Sequence, residues 1–133
     1  MYNESFDVND VEKMEDIKKD FQSRQFVLRD NTTIIENVDI KNIVEGVLIV
    51  HATWSGQSLM NCIKIVQKLY EIEYNGQIQI IDIESMTPSI QKSFLGKLCQ
   101  GWGEIFVIRQ GQISEKFFGK ASFTDFMTYY ERQ

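Results

Sequence analysis

The side chains that could do chemistry are concentrated around one histidine. His51 is the only histidine of the chain, and Ser55 and Ser58 follow it closely. A serine activated by a histidine can act as a nucleophile, but such a site also needs an acid that orients the histidine and an oxyanion hole. The sequence offers no obvious candidate for either, and serine is a favoured helix N-cap. We therefore predict that both serines are capping or surface residues, that none is catalytic, and that His51 packs at the end of a strand.

Two cysteines, Cys62 and Cys99, are the remaining candidates for redox chemistry. They are too few for a disulfide framework and lack the spacing of a zinc site. A free cysteine usually behaves as a small buried apolar residue, which we favour here. A regulatory disulfide between them would require Cα atoms within about 7 Å. The chain has no glycine-rich phosphate loop and no metal-ligand cluster, so we predict neither a cofactor nor a metal.

Composition and charge limit the class of protein further. With 133 residues, 43% of them hydrophobic, and a single proline, the chain is expected to form one globular domain. Residues 1–45 hold eleven acidic and six basic side chains, a net charge of −5, whereas residues 46–133 hold eight of each. An acidic leader on a neutral body is a poor match for nucleic acid. The sequence has no membrane-length apolar run and no secretory signal, so we expect a cytoplasmic protein without membrane insertion.

The first third of the chain predicts a helix followed by short strands. Residues 8–24 place apolar side chains at helical spacing, with acidic ones opposite. The apolar positions are Val11, Met14, Ile17 and Phe21. Residues 26–28 and 32–35 are β-prone, and they either pair as a hairpin or contribute only one strand to a sheet. Residues 39–45 are expected to form a short helix that Gly46 ends.

The pattern becomes clearer after Gly46. The predicted elements are a strand over 47–50, a helix over 58–74, a strand over 78–83, a helix over 88–98, and hairpin strands over 105–108 and 113–118. The continuous apolar run 47–50 is typical of a central strand that is buried on both faces. Ser122 is expected to cap a last helix. Alternating strands and helices followed by a hairpin predict a mixed sheet covered by helices.

The loop after the first of these strands resembles that of the thioredoxin family. Residues 47–60 read Val-Leu-Ile-Val-His-Ala-Thr-Trp-Ser-Gly-Gln-Ser-Leu-Met, and the family segment reads Ala-x-Trp-Cys-Gly-Pro-Cys-x-Met. The matching positions are Ala52, Trp54, Gly56, Met60 and, further on, Gly119 after the last strand. The resemblance covers residues 46–133 and implies a thioredoxin-like three-layer α/β/α sandwich with a central mixed sheet. It divides the chain into an acidic N-terminal helical extension, residues 1–30, and a thioredoxin-like domain, residues 31–133.

The departures from the family concern its chemistry. Ser55 and Ser58 stand where thioredoxins carry their two redox cysteines. Gln57 replaces the proline between the cysteines, Ile49 replaces the buried acid of the central strand, and Gly103 stands at the cis-proline position. A serine hydroxyl cannot form a disulfide, and it does not reach the near-neutral pKa of an activated cysteine. The resemblance therefore implies a redox-inactive relative.

By the same resemblance, Trp54 and Trp102 both border the groove in which the family holds its substrate. Two tryptophans on one edge form an apolar patch on which an extended peptide could lie, and aromatic anchors are typical of protein interfaces. We name this patch the rim, and we predict that it binds a protein partner; the other interpretation is a degenerate face. The rim consists of Trp54, Ser55, Gly56, Gln57, Ser58, Trp102 and Gly103.

The sequence thus favours a protein-binding module without enzymatic activity, which serves as an adaptor, accessory or chaperone-like subunit of a larger assembly. The alternative is a thiol-based redox sensor or an unconventional oxidoreductase that uses Cys62 or Cys99. A structural or homo-oligomer-forming subunit is a third interpretation. The acidic leader helix either packs on the body through its apolar side or docks a partner.

Overall fold

The computed structural model describes residues 2–132, with side chains described from Lys13 onwards. Its elements are α1 (Tyr2–Ser23), β1 (Thr32–Ile35), β2 (Glu45–His51), α2 (Gly56–Glu71), β3 (Gln77–Asp82), α3 (Pro88–Ile90), β4 (Glu104–Arg109), β5 (Gln112–Phe117) and α4 (Ser122–Glu131). A 3₁₀ turn, Ile83–Ser85, precedes α3, and a π-helical turn, Gln91–Leu95, follows it without a break.

The five strands form one mixed sheet in the order β1-β3-β2-β4-β5. β1 and β2 run parallel to β3, whereas β4 is antiparallel to β2 and β5 is antiparallel to β4. β2 is central, and residues 47–50 are almost completely buried. Both the mixed sheet and the buried central strand are confirmed.

Helices cover the sheet on both sides, because successive strand residues point to opposite faces. On one side α1, α2 and α4 pack against the inward residues of the strands, among them Ile49 and Ile105. On the other side Leu48 and Phe106 pack against the α3 region and the segment before β2. The architecture is the predicted three-layer α/β/α sandwich, with an additional helix at its N-terminus.

The N-terminal helix packs on the body of the domain. Ile17 and Phe21 are fully buried in the same cluster as α2 and α4, and Met14 is half-buried. Val11 lies outside the described side chains. The helix predicted over residues 8–24 is confirmed, although it begins earlier in the chain. Its apolar side is therefore a packing surface along the described part of the helix.

The two predictions for the segments before β2 have different outcomes. Of the two β-prone runs, only 32–35 forms a strand; residue Phe26 instead packs its ring between Phe21 and Tyr70. The helix predicted over 39–45 is wrong, because this segment forms turns and β2 already begins at Glu45. So short a segment gains few helical hydrogen bonds, and it buries Ile40 and Ile43 against the sheet without them.

The later helices differ from the predictions at their ends. α2 ends at Glu71 rather than Tyr74, because the chain turns at Glu73, where φ is +56°. The helix predicted over 88–98 is α3 and the π-helical turn, which stop before Gly96 in the left-handed conformation. Ser122 is not the cap of α4; it is the first helical residue, and its hydroxyl donates to the carbonyl of Gly103.

Among the described residues, none of the helices is both long enough and apolar enough to cross a membrane.

Candidate functional site: the tryptophan rim and the polar network beneath it

The rim forms where the loop after β2 meets the loop before β4. Trp54 is the most exposed aromatic residue of this edge, with 62% of its surface accessible. Its indole edge lies directly over the backbone of Gly101, where any side-chain carbon would collide with the ring. The next residue is Trp102, which is half-buried, so the ring of Trp54 lies against the backbone of the loop that carries the second tryptophan. Glycine at position 101 makes this close approach of ring and backbone possible.

Ser55 begins the helix that carries one side of the rim. Its Oγ accepts a hydrogen bond of 3.2 Å from the backbone N–H of Ser58, which confirms its prediction as an N-cap of α2. Gly56 and Gln57 follow it on the exposed first turn. The Gln57 amide donates to Oδ1 of Asn61, one turn further along the helix. This side of the rim is therefore held by the start of a regular helix.

The other side of the rim is pinned by side chains from two helices. The amide of Asn61 on α2 donates to the carbonyl of Trp102, and the hydroxyl of Ser122 on α4 donates to that of Gly103. Gly103 itself is buried with φ of +83°, and a side-chain carbon there would stand 3.1 Å from the Ser58 carbonyl oxygen. Only glycine fits this left-handed, closely packed position without strain.

A buried carboxylate, Glu104, organises the same loop from below. Its two oxygens accept hydrogen bonds from the backbone N–H groups of Gln100, Trp102 and Gly119. Glu104 is fully buried, and three backbone donors stabilise its charge where water cannot. The carboxylate thus ties residues 100–102 to the loop after β5, and it fixes the backbone on which Trp102 is mounted.

Under the Trp54 loop lies a chain of three polar side chains. Nε2 of His51 is 2.9 Å from Oδ2 of Asp20, and its Nδ1 is 2.7 Å from Oγ of Ser58. Oγ of Ser58 also accepts a hydrogen bond of 2.9 Å from the N–H of Ala52. His51 is fully buried at the end of β2, as predicted. The expectation that no acid orients it is wrong, because Asp20 of α1 does so.

The hydrogen bonds limit where the protons of this network can lie. A carboxylate only accepts, so Nε2 of His51 carries the hydrogen that it donates to Asp20. In the neutral imidazole, Nδ1 then accepts the hydroxyl hydrogen of Ser58. The order of acid, histidine and serine is that of a serine nucleophile with its base and orienting acid, but Nδ1 rather than Nε2 faces the serine. Ser58, however, has no accessible surface and does not cap a helix, so its prediction as a capping or surface residue is wrong, and its oxygen already accepts the Ala52 N–H. A substrate cannot reach this hydroxyl, so the network is a structural link between α1, β2 and α2.

Neither cysteine lies in an environment that activates a thiol. Cys62 is packed under α2 on one side of the sheet, whereas Cys99 belongs to the cluster on the opposite side. Burial raises the pKa of both thiols far above the usual range, and the Asp20 and Glu104 carboxylates raise the pKa of Cys62 further. Both are free thiols, and the sheet separates them. At neutral pH they are protonated and weakly nucleophilic.

A second buried carboxyl lies next to His51 in the sheet. Asp82, which pairs with His51 in the β2–β3 register, accepts a hydrogen bond from the N–H of Glu84. Burial raises the pKa of Asp82, and Lys13 of α1 lowers it in part. Lys13 also lies 3.4 Å from the Glu84 carboxylate. Within the described residues, no group of three or more histidine, cysteine or acidic side chains is arranged to hold a metal ion.

The structure thus places the predicted rim residues in one region, but their solvent exposure differs. Trp54, Gly56 and Gln57 are exposed, Ser55 and Trp102 are intermediate, and Ser58 and Gly103 are buried beneath them. The supports of the rim, which the sequence did not indicate as residues of this site, are Asp20, Asn61, Glu104 and Ser122. One signal was available, because a histidine buried at a strand end needs a partner for each ring nitrogen.

The comparisons with known proteins support the fold alone. No protein-family model matches the sequence, and no curated protein is significantly similar to it. Among solved structures, desulfothioredoxin from Desulfovibrio vulgaris Hildenborough is 16% identical with a TM-score of 0.60, covering 80% of this chain and 100% of its own. Thioredoxin O2 from Arabidopsis thaliana is 12% identical with a TM-score of 0.61, covering 79% and 96%. A chain from a study of thiol resolution in yeast mitochondrial 1-Cys peroxiredoxin is 20% identical, with a TM-score of 0.60 and coverage of 77% and 95%. The chain therefore has a thioredoxin-like fold.

Proposed function

We propose that the protein is a non-catalytic thioredoxin-like module that binds a protein partner through the rim. The observation that carries the proposal is the contrast between the two halves of the loop that matches the redox loop of thioredoxins. Its surface half presents an exposed tryptophan that covers Gly101, the residue before Trp102, and its buried half holds a serine whose hydroxyl makes two hydrogen bonds. Exposed aromatic residues are typical anchors of protein interfaces. A buried serine hydroxyl, in contrast, cannot take part in thiol–disulfide exchange.

Preorganisation of the rim supports binding. Asn61, Glu104 and Ser122 hold the Trp102 loop, and Ser55 holds the Trp54 loop. A surface that is already fixed loses little conformational entropy when a partner binds. Both backbone groups of Trp102 are occupied internally, its N–H by Glu104 and its carbonyl by Asn61. An extended peptide would therefore be recognised by the indole rings rather than by main-chain pairing at this residue.

The role of an adaptor, accessory or chaperone-like subunit in the cytoplasm is part of the same proposal. A photo-crosslinking side chain at Gln57 tests it, because this residue is exposed in the middle of the rim. The matched control is the same side chain at Gln67, which is exposed on α2 away from the rim. We expect one protein to be crosslinked from position 57 and not from position 67, and to be displaced by excess unlabelled wild-type protein. Identical products from both positions would contradict a specific site.

The alternative is thiol chemistry at Cys62 or Cys99. The thioredoxins among the similar structures favour it, and the burial of both thiols counts against it. An insulin-reduction assay decides between the two functions. We expect no turnover from the wild type, and no difference between it and the Cys62→Ser and Cys99→Ser variants. Turnover that disappears in either variant would establish the alternative.

A further inference from the structure

A second surface, on the opposite side of the sheet from α1, is both apolar and basic. Ile90, Phe94 and Leu98 follow one another at intervals of four residues, and between 36% and 42% of each side chain is exposed. Phe94 lines a groove of about 270 Å³ between the π-helical turn and β5, together with Ile40 and Ile113. The helical turn ends before Gly96, so only Ile90 and Phe94 share a helix, but a group of exposed apolar side chains of this kind marks an interaction site. We name this surface the α3 face.

Lysines predominate among the charges of residues 86–120, which form most of the α3 face, whereas the exposed acids Asp39 and Glu84 adjoin it in the chain. Lys92, Lys97 and Lys116 are exposed around the stripe, and Lys116 carries the only charge among the described residues that line the groove. Residues 86–120 hold five basic and two acidic side chains, a net charge of +3. Of the two acids, Glu104 is buried, and Glu115 pairs with Val107, whose side chain packs in the α2 and α4 cluster across the sheet. The exposed apolar side chains of the α3 face are thus bordered by lysines.

The complementary segment is present in the same sequence. Residues 1–12 contain Glu4, Asp7, Asp10 and Glu12, no lysine or arginine, and the apolar residues Tyr2, Phe6, Val8 and Val11. Residues 2–12 belong to α1, a continuous helix whose later part is fixed on the other side of the sheet by Ile17 and Phe21. Because α1 is continuous, its first turns extend along the axis that this packed part sets.

We propose that the protein forms a reciprocal dimer, in which the acidic first turns of α1 in each copy dock on the α3 face of the other. Lys13 lies 3.4 Å from Glu84, in the turn that leads into α3, so α1 passes the end of β3 where the chain turns towards α3. The eleven helical residues 2–12 add about 16 Å from there, enough to reach a neighbouring molecule. Two equal contacts related by a two-fold axis give a closed dimer, and an amphipathic helix in an apolar groove is a common recognition mode. This interface is separate from the rim.

The experiment measures the mass of the full-length protein by sedimentation velocity over a range of concentrations and salt. We expect a reversible dimer whose dissociation constant rises at least tenfold between 50 mM and 500 mM salt, because the contact is electrostatic. The variant Lys92→Glu with Lys116→Glu should be monomeric. Lys64→Glu with Lys68→Glu on α2 changes the net charge equally and should dimerise like the wild type. Thermal melting of each variant verifies folding.

A charge exchange completes the test. A second variant, Glu4→Lys with Asp7→Lys and Asp10→Lys, should also be monomeric alone, and mixing it with Lys92→Glu/Lys116→Glu should restore a heterodimer, since both contacts again join opposite charges. Removal of residues 1–12 should give a monomer. A wild type that is monomeric throughout, a dimer that survives removal of residues 1–12, or a mixture that stays monomeric would overturn the proposal.

Discussion

Ser55 and Ser58 occupy equivalent-looking positions in the sequence, yet the structure gives them different tasks. Ser55 accepts a backbone N–H at the start of α2 and stays near the surface. Ser58 is enclosed and joins His51 to the backbone of Ala52. Where thioredoxins have a dithiol, this chain therefore has a helix cap and a structural hydrogen bond, both of which hold the Trp54 loop in place.

Substitution of Asp20 tests the contribution of the polar network beneath the Trp54 loop to stability. Asp20→Ala removes the acceptor of the His51 Nε2–H and leaves a buried donor unpaired, which should lower the free energy of unfolding by about 1–3 kcal/mol. Asp16→Ala, one turn earlier on α1, makes the same change of charge and should cost less than about 0.5 kcal/mol. Denaturant titration measures both. Because Asp20 and Ser58 share His51, the double variant with Ser58→Ala should be non-additive; additive losses would show that the network is not coupled.

Asp82 makes a pH-dependent contribution to stability. Burial raises the pKa of Asp82 in the folded protein, so the folded state binds a proton more tightly than the unfolded state. The contribution of Asp82 to the free energy of unfolding therefore falls as the pH rises from its unfolded-state pKa to its folded-state pKa. Asp82→Asn removes the titration. The stability of the variant relative to the wild type should therefore increase from about pH 4, the ordinary carboxyl pKa, towards pH 7. Denaturant titrations at several pH values measure the difference, and a difference that is independent of pH would contradict the assignment.

At the scale of elements, α1 is the part of the molecule that the thioredoxin resemblance does not cover and that the site depends on. It buries Ile17 and Phe21 in the core shared with α2 and α4, and it delivers Asp20 to His51. The helix thus closes one side of the domain and completes the support beneath the rim.

Substitution of Phe21 shows how much of the free energy of unfolding comes from the packing of α1. The side chain is almost completely buried and contacts the ring of Phe26, so Phe21→Ala should cost about 3–5 kcal/mol through lost burial and a cavity. Val27→Ala, at a position that is 81% exposed, is the control and should stay within about 0.5 kcal/mol. Thermal and denaturant unfolding compare the two. Equal, small losses would mean that α1 is only loosely attached.

The parts of the fold that were predictable are those in which local pattern and tertiary packing agree. The apolar run 47–50 indicated a buried central strand, and the alternation after it indicated a mixed sheet. Residues 39–45 have a helical pattern but enter β2 as turns, because packing of Ile40 and Ile43 outweighs a weak local preference. Asp20 could not be paired with His51 from the sequence, since only the placement of α1 on the sheet brings the two together.

At the scale of the molecule, the proposed function rests on a contrast between interior and surface. The interior has no activated thiol, because Cys62 and Cys99 are buried on opposite sides of the sheet. The surface presents a preorganised edge whose loops carry two tryptophans. This combination is what a binding module requires, since binding needs a fixed surface but no reactive group.

Restoring the cysteines tests whether the loss of chemistry extends beyond two residues. The variant Ser55→Cys with Ser58→Cys should reduce insulin far more slowly than an ordinary thioredoxin. The thiol introduced at position 58 would lie beside His51 in a site built for a hydroxyl, and Ile49, Gln57 and Gly103 would remain unlike the family. Variants with a single cysteine at either position are the controls. Turnover equal to that of an ordinary thioredoxin would show that the supporting residues matter little.

The central claim is that the rim binds a protein through its tryptophans, and the affinity of Trp54→Ala for the protein crosslinked from Gln57 tests it most directly. An anchor that is 62% exposed before binding should contribute at least about 2 kcal/mol, which is roughly a 30-fold rise in Kd. Isothermal titration with purified partner measures this, with Val27→Ala as a control at another exposed apolar position. We predict a Kd at least about 30-fold higher for Trp54→Ala and unchanged for Val27→Ala. A folded Trp54→Ala variant that binds the partner as tightly as the wild type would contradict the account.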